Sequence, residues 1–193
     1  GTAPMSATSL ISNLYNNATK TPVTNNSITY QYDTKNSLMK DAAGNIRYYG
    51  ASPNNYIYFN CSDYSNQSST TCETWRIIGV FDGKVKIMRS ENIGAYSWDT
   101  TASTINGGSG LNDWSTSKLM MLLNSGYTYL INNLSRPASL YWNRTSGSCY
   151  NAANLGATSC SFTSTGLKND TTKNMIYETR HNIGAGTTSV GIY

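Results

Sequence analysis

A chain of 193 residues is long enough to bury a core, yet only 12% of this one is charged and 38% hydrophobic, so neutral polar side chains do most of the solvating. The formal net charge of +4 comes from 14 Lys and Arg scattered along the chain, and without a basic run nucleic-acid binding is not expected. No apolar run is long enough to span a membrane, so no membrane insertion is expected in this sequence.

Residues Ser6 to Ala18 read as an amphipathic helix. Ser6 is a capping residue, Leu10, Ile11, Leu14, Tyr15 and Ala18 recur on one face at helical spacing, and Pro22 ends it. Residues 1–22 then form an N-terminal helix packed on a single α+β domain over 23–193; the alternative is the exposed end of a longer fibre-forming helix, as in pilins. Ile28, Tyr30 and Tyr32 alternate with polar residues and predict a short strand. Leu38 and Met39 are expected to dock the loop after them, and Asp41 to Asn45 is a turn. Ile46 to Tyr49 and Tyr56 to Asn60 are rich in Tyr and Ile, as strands prefer.

Next come two apolar arms around Asp82-Gly83, which predict a hairpin over about 75–88. In the first arm Trp75 and Ile77 share one face while Arg76, Ile78 and Val80 share the other, which suggests a central strand covered on both sides. In the second arm Val85 and Ile87 point inward, and Lys84, Lys86 and Met88 outward. Asn92 to Gly110 is a long Gly/Ser/Thr connection, and structureless loops of that length are often functional. A helix is predicted from Asp113 to Asn124, capped by Asn112 or Asp113, burying Leu119, Met120, Leu122 and Leu123, and stopped at Ser125-Gly126. A further helix is predicted from Asp170 to His181, with Asp170 as cap, Met175, Ile176 and Tyr177 as apolar positions and Gly184 as stop. The start at Gly1 and the Gly-rich end with Val190 and Ile192 read as a processed or cut product, truncated at the C-terminus.

The four cysteines carry the sharpest constraint. Cys61 and Cys72 enclose a polar loop, Cys149 and Cys160 enclose another, and the two spacings are identical. Four cysteines allow three pairings. The two local pairings are expected, because each would staple a soft loop and contribute about 2–3 kcal/mol. Such bonds persist in an oxidising compartment, which points to an exported protein. The cysteine spacing and the single histidine do not suit a zinc site.

Ten Asp and Glu residues show no evident catalytic pairing. Asp82 serves a turn, and Asp113 and Asp170 serve caps. Glu73 with Asp99 is the pair to weigh as an acid and base, and His181 reads as a cation at a helix end. No enzyme, cofactor or metal is expected; calcium is the alternative, with Asp63, Asn66, Asp99 and Asn106 as oxygen donors. The strongest functional lead is aromatic. Tyr64, Tyr96, Trp98, Tyr141, Trp142 and Tyr150 lie in or beside loops, where rings stack on sugar C–H faces and neighbouring amides bond hydroxyls. The ligand-binding candidates are Tyr64, Tyr96, Trp98, Trp142 and Tyr150.

The run from Asn45 to Asn60, the Cys72-Glu-Thr-Trp-Arg-Ile-Ile-Gly-Val-Phe-Asp-Gly-Lys84 block, Ile93 to Trp98 and Asn112 to Thr116 together resemble uncharacterised exported domains of gut-type Gram-positive bacteria, over about Asp41 to Gly184. The Trp-Arg-Ile-Ile…Asp-Gly-Lys pattern also looks like surface domains related to the C-type-lectin-like fold. Some family members carry pilin-like leaders. Members end in a Gly-Val-Arg-Pro type strand that has no counterpart here, and the family offers no catalytic residues to carry over. The sequence therefore predicts an α+β fold: a mainly antiparallel sheet around the central hairpin, two or three packed helices and disulfide-stapled loops. The expected function is adhesin-like binding at the bacterial cell surface or in the extracellular space, with a glycan or host glycoprotein as partner. The alternative is a structural subunit that self-assembles into a pilus or fibre.

Overall fold

The computed structural model describes residues 5–100, 114, 117–125, 128–129, 134–135, 139–151 and 156–178. The fold is α+β with antiparallel sheets, and the chain divides into two compact units, 1–92 and 93–193.

The first unit opens with helix α1 (Ala7–Asn17), whose cap is Ser6: the hydroxyl oxygen accepts from the Ser9 N–H at 3.2 Å. The helix ends at Asn17, and Pro22 lies instead in strand β1 (Thr21–Asn25), which its polar sequence did not announce. Asn26 and Ser27, both at positive φ, turn the chain into β2 (Ile28–Asp33). Leu38 and Met39, expected in a loop contact, belong to β3 (Leu38–Lys40). Strands β4 (Ile46–Tyr48) and β5 (Tyr56–Phe59) follow where predicted, and β6 (Glu73–Phe81) and β7 (Lys84–Arg89) form the predicted hairpin. Its two turn residues, Asp82 at φ 49° and Gly83 at φ 70°, are both left-handed, as this two-residue connection requires.

All seven strands form one antiparallel sheet centred on β6. One edge of β6 pairs with β7 along its length; the other is shared by β5, at Glu73 to Arg76, and β4, at Gly79 to Val80. Between Ile77 and Gly79 the register slips by one residue, so Ile78 is the extra residue of a bulge. The Gly50 to Asn55 connection meets β6 at the same point. Buried Asn55 grips Ile77 on both sides: its carbonyl accepts from the Ile77 N–H at 2.8 Å, and its side-chain amide donates to the Ile77 carbonyl at 2.7 Å. The bulge corrects the simple alternation expected for this arm. Ile77 and Val80 both turn inward, joining Ile11, Tyr15, Leu38 and Ile46, with Val85 and Ile87 beside them as predicted.

Helix α1 packs on β4, β6 and β7 and covers this inner face. Ile11 and Tyr15 are buried, whereas Leu10 and Leu14, predicted on the same face, point outward. Burial, and then the charge of Asp33, push the Tyr15 phenol above its usual pKa; its O–H donates to the Gln31 carbonyl at 3.0 Å. The predicted bridge Cys61–Cys72 is formed and closes the loop between β5 and β6.

The second unit contains helix α2 (Lys118–Leu123), the short pair β8 (Thr128–Tyr129) and β9 (Leu134–Ser135), the hairpin β10 (Ser146–Tyr150) with β11 (Ala157–Ser161), and helix α3 (Asp170–Asn174). Its core is Leu122, Tyr141, Cys149, Phe162 and Leu167. The second predicted bridge, Cys149–Cys160, ties β10 to β11. Two helix boundaries differ from expectation. Helix α2 starts at Lys118, because the buried Ser117 hydroxyl caps it by accepting from the Met120 N–H at 3.1 Å; Asn112 and Asp113, the expected caps, lie outside the described residues. Helix α3 is capped by Asn169, not Asp170, and stops at Asn174. Met175, Ile176 and Tyr177 are therefore exposed where a buried helical face was predicted. The expected His181 end, the Gly184 stop, Gly126, Asn106, Val190 and Ile192 also fall outside the described residues.

Candidate functional site

A half-open groove of about 320 Å³ lies in the second unit, within the size range of small-ligand sites. Among the described residues four pieces of chain line it, one of them Ser97. Helix α2 supplies Lys118, Leu119 and Leu122; the turn at Ser139 and Leu140 supplies a second wall; Ser148 and Tyr150 on β10 close it beside the Cys149–Cys160 bridge.

Hydrogen bonds fix each piece. The Leu119 N–H donates to the Trp98 carbonyl at 3.0 Å, which sets the helix start. The Tyr141 N–H donates to the Leu122 carbonyl at 3.3 Å, and the Ser139 N–H to the Asn124 carbonyl at 3.2 Å, which hold the turn against the helix end. The Ser139 hydroxyl accepts from the Trp142 N–H at 2.9 Å. Ser97, which also lines the groove, pins the end of β10: its N–H donates to the Tyr150 carbonyl at 3.1 Å, and its hydroxyl to the Asn151 carbonyl. Gly147 lies against the end of the Leu140 side chain: a Cβ there would come within 2.9 Å of a Leu140 methyl, which would have to shift. The disulfide keeps β10 and β11 in register behind the groove.

The lining mixes an apolar floor, hydroxyls and one cation. Lys118 Nζ stands 5.4 Å from the centre of the Tyr150 ring, within cation–π reach. None of the described residues that line the groove is a carboxylate. That composition suits noncovalent capture of a small polar ligand with one apolar face.

The five sequence-nominated aromatics divide. Tyr150 lines the groove. Tyr96 is spent on structure: its ring lies 5.7 Å from Phe162, its O–H donates to the Ile93 carbonyl at 2.9 Å, and burial raises its pKa. Trp142 packs on the core of the same unit, where Tyr141 is buried. Trp98 stands 5.3 Å from Trp114; its indole N–H is buried without a partner among the described residues. Tyr64 belongs to the first unit, half-buried in the Cys61–Cys72 loop. Sequence reasoning missed Lys118, Ser148 and Leu140. The one signal for Lys118 was its place at the start of an apolar helix, and that does not reveal the Tyr150 ring facing it.

Of the carboxylates considered for chemistry or calcium, Glu73 and Asp63 find local partners, and Glu73 and Asp99 fall in different units. Glu73 accepts from the Trp75 indole N–H at 3.0 Å and from Arg89 Nε at 3.1 Å. Asp63 accepts from the Ser65 hydroxyl and N–H, and these bonds lower its pKa. Among the described residues no group of three or more His, Cys, Asp or Glu side chains is placed to hold a metal ion. No described helix is long and apolar enough to cross a membrane. No protein-family model, curated protein or solved structure matches the chain.

Proposed function

We propose that the chain is an exported, non-enzymatic binding module of the bacterial surface, adhesin-like, whose groove in the second unit takes a glycan, free or on a host glycoprotein. One observation carries this reading: the Tyr150 ring, flanked by the Ser148 hydroxyl and Lys118, forms a wall of a groove with an apolar floor. Sugars present the matching surface, a C–H face for the ring and hydroxyls for the polar rim. The two disulfides support export, since such bonds persist in oxidising compartments. Glycan-array binding by the wild type, lost in Tyr150→Ala and retained in Tyr64→Ala, is the expected result. A wild type that binds no glycan would remove the reading.

A second reading, a self-assembling fibre subunit, draws on α1. Met5, Leu10 and Leu14 stay 58%, 49% and 37% exposed there, an apolar outward side for which a neighbouring subunit would be the partner. Sedimentation at rising concentration tests it, with Leu10→Asp as control; a monomer throughout would rule it out.

A further inference from the structure

The sheet of the first unit is covered by α1 on one face, and the register fixes what the other face carries. Tyr32, Met39, Arg47, Gly79 and Lys86 are successive partners across β2, β3, β4, β6 and β7, so they form one row on that outer face. Tyr56, Arg76 and Met88 form the next row across β5, β6 and β7. The rows are about 7 Å apart along β7.

Each row holds a cation against a ring. In the first, the Phe81 ring folds back over Gly79, where a Cβ would come within 3.1 Å of it. Arg47 stands 4.8 Å from the centre of that ring on one side, and Lys86 stands 5.4 Å from it. In the second, Arg76 lies 5.2 Å from the centre of the Tyr56 ring, its Nε held by Asn55 Oδ1 at 3.0 Å. Tyr56 is 54% exposed, Met88 55% and Tyr58 39%, and Lys86 and Arg47 are exposed too. The register puts no carboxylate in either row. Asp41, at the margin, is paired with Arg47; Arg76 and Lys86 have no acidic partner among the described residues. The basic residues are scattered in sequence, but the sheet brings Arg47, Arg76, Lys84 and Lys86 to one face, and neither Arg76 nor Lys86 has an acidic partner among the described residues.

We propose that this face is a second binding surface, separate from the groove, and that its occupant is an acidic polysaccharide bearing carboxylate or sulfate groups. The charge selects an anion. The two adjacent cation–ring rows, about 7 Å apart, select a chain with repeated charge over a single small anion. The exposed rings offer stacking faces for sugar C–H groups; the choice of a glycan over a nucleic acid rests on the export proposed above from the two disulfides.

The test uses the full chain on immobilised heparin and immobilised hyaluronate, with neutral dextran as blank and single-stranded DNA of equal charge as competitor. The expected result is retention on at least one acidic polysaccharide and none on dextran, with affinity falling as salt rises. Lys86→Glu, an exposed change, is expected to weaken binding at least tenfold, and Tyr56→Ala to weaken it severalfold without changing the salt dependence. Lys118→Gln, in the groove, is expected to leave it unchanged. Circular dichroism checks that the variants fold. No retention on either polysaccharide overturns the proposal, as does retention that Lys86→Glu leaves intact. DNA that displaces the polysaccharide at equal charge assigns the face to nucleic acid and also overturns it.

Discussion

Gly79 carries more of this structure than its size suggests. It sits beside the bulge, and a Cβ there would fall onto the Ile46 carbonyl oxygen and crowd the Phe81 ring. The backbones of β4 and β6 cannot move apart without losing their pairing at Ile46–Val80 and Arg47–Gly79. Gly79→Ala is therefore expected to cost about 1–3 kcal/mol, read as a lower urea midpoint; an unchanged midpoint would mean that the two strands are not so closely apposed. Asp41 is the other telling residue. Burial pushes its pKa up, but hydrogen bonds from Asn45 and from Arg47, together with the Arg47 charge, outweigh this and leave it lowered. A lowered folded-state pKa means that the stabilisation is present above the usual value of 3.8 and is lost as pH falls through the lower folded value. The stability gap between wild type and Asp41→Asn should accordingly be open at pH 6 and close in acid below about pH 4. A gap that stays constant down to pH 2 would contradict this linkage. The Asp41 to Asn45 turn was legible in sequence because Asp, Gly and Asn encode it locally. The demand for Gly79 was not, because the atoms that exclude a side chain come from a different strand.

At the scale of elements, α1 shows how far periodicity reaches. Its start is legible in Ser6, but Pro22, the expected stop, lies in β1, and of the apolar residues expected on one face the sheet takes only part. Ile11 is 1% exposed in the core, while Leu10 next to it is 49% exposed. Ile11→Ala is expected to cost about 2–5 kcal/mol, and Leu10→Ala to stay within about 0.5 kcal/mol, both measured by urea denaturation of the monomer. Equal costs would show that the helix is seated differently. The hairpin was legible because Asp82-Gly83 imposes its own turn. Helix α3 is shorter than expected: it stops at Asn174, and Met175, Ile176 and Tyr177, three consecutive apolar residues with no helical period, lie beyond it and are exposed.

For the molecule as a whole, each disulfide belongs to one unit and enters its interior there: Cys61 is 0% exposed and Cys149 3%. Replacing Cys149 and Cys160 together by Ser should destabilise the second unit by about 2–4 kcal/mol. Amide exchange should then rise in β10 and β11 and stay unchanged in β6 and β7. Equal loss of protection in both units would show that the bridge acts beyond its own. The groove depends on this bridge, since β10 forms one wall, so the same variant should also weaken any ligand held there.

Sequence alone determined the features that a few neighbouring residues can enforce: the α+β class, the hairpin, the first helix cap and the two local sulfur bridges. Tertiary structure decided whatever needs atoms from distant segments. A bulge beside the Asn55–Ile77 contact breaks the alternation of β6, the sheet chose Ile11 and Tyr15 over Leu10 and Leu14, and Tyr96 was committed to the core while Tyr150 was left on a groove. It also drew Arg47, Arg76 and Lys86 together on one face. Side-chain periodicity states which residues can share a surface; only the packed neighbours decide which of those surfaces is covered and which is left to meet a ligand.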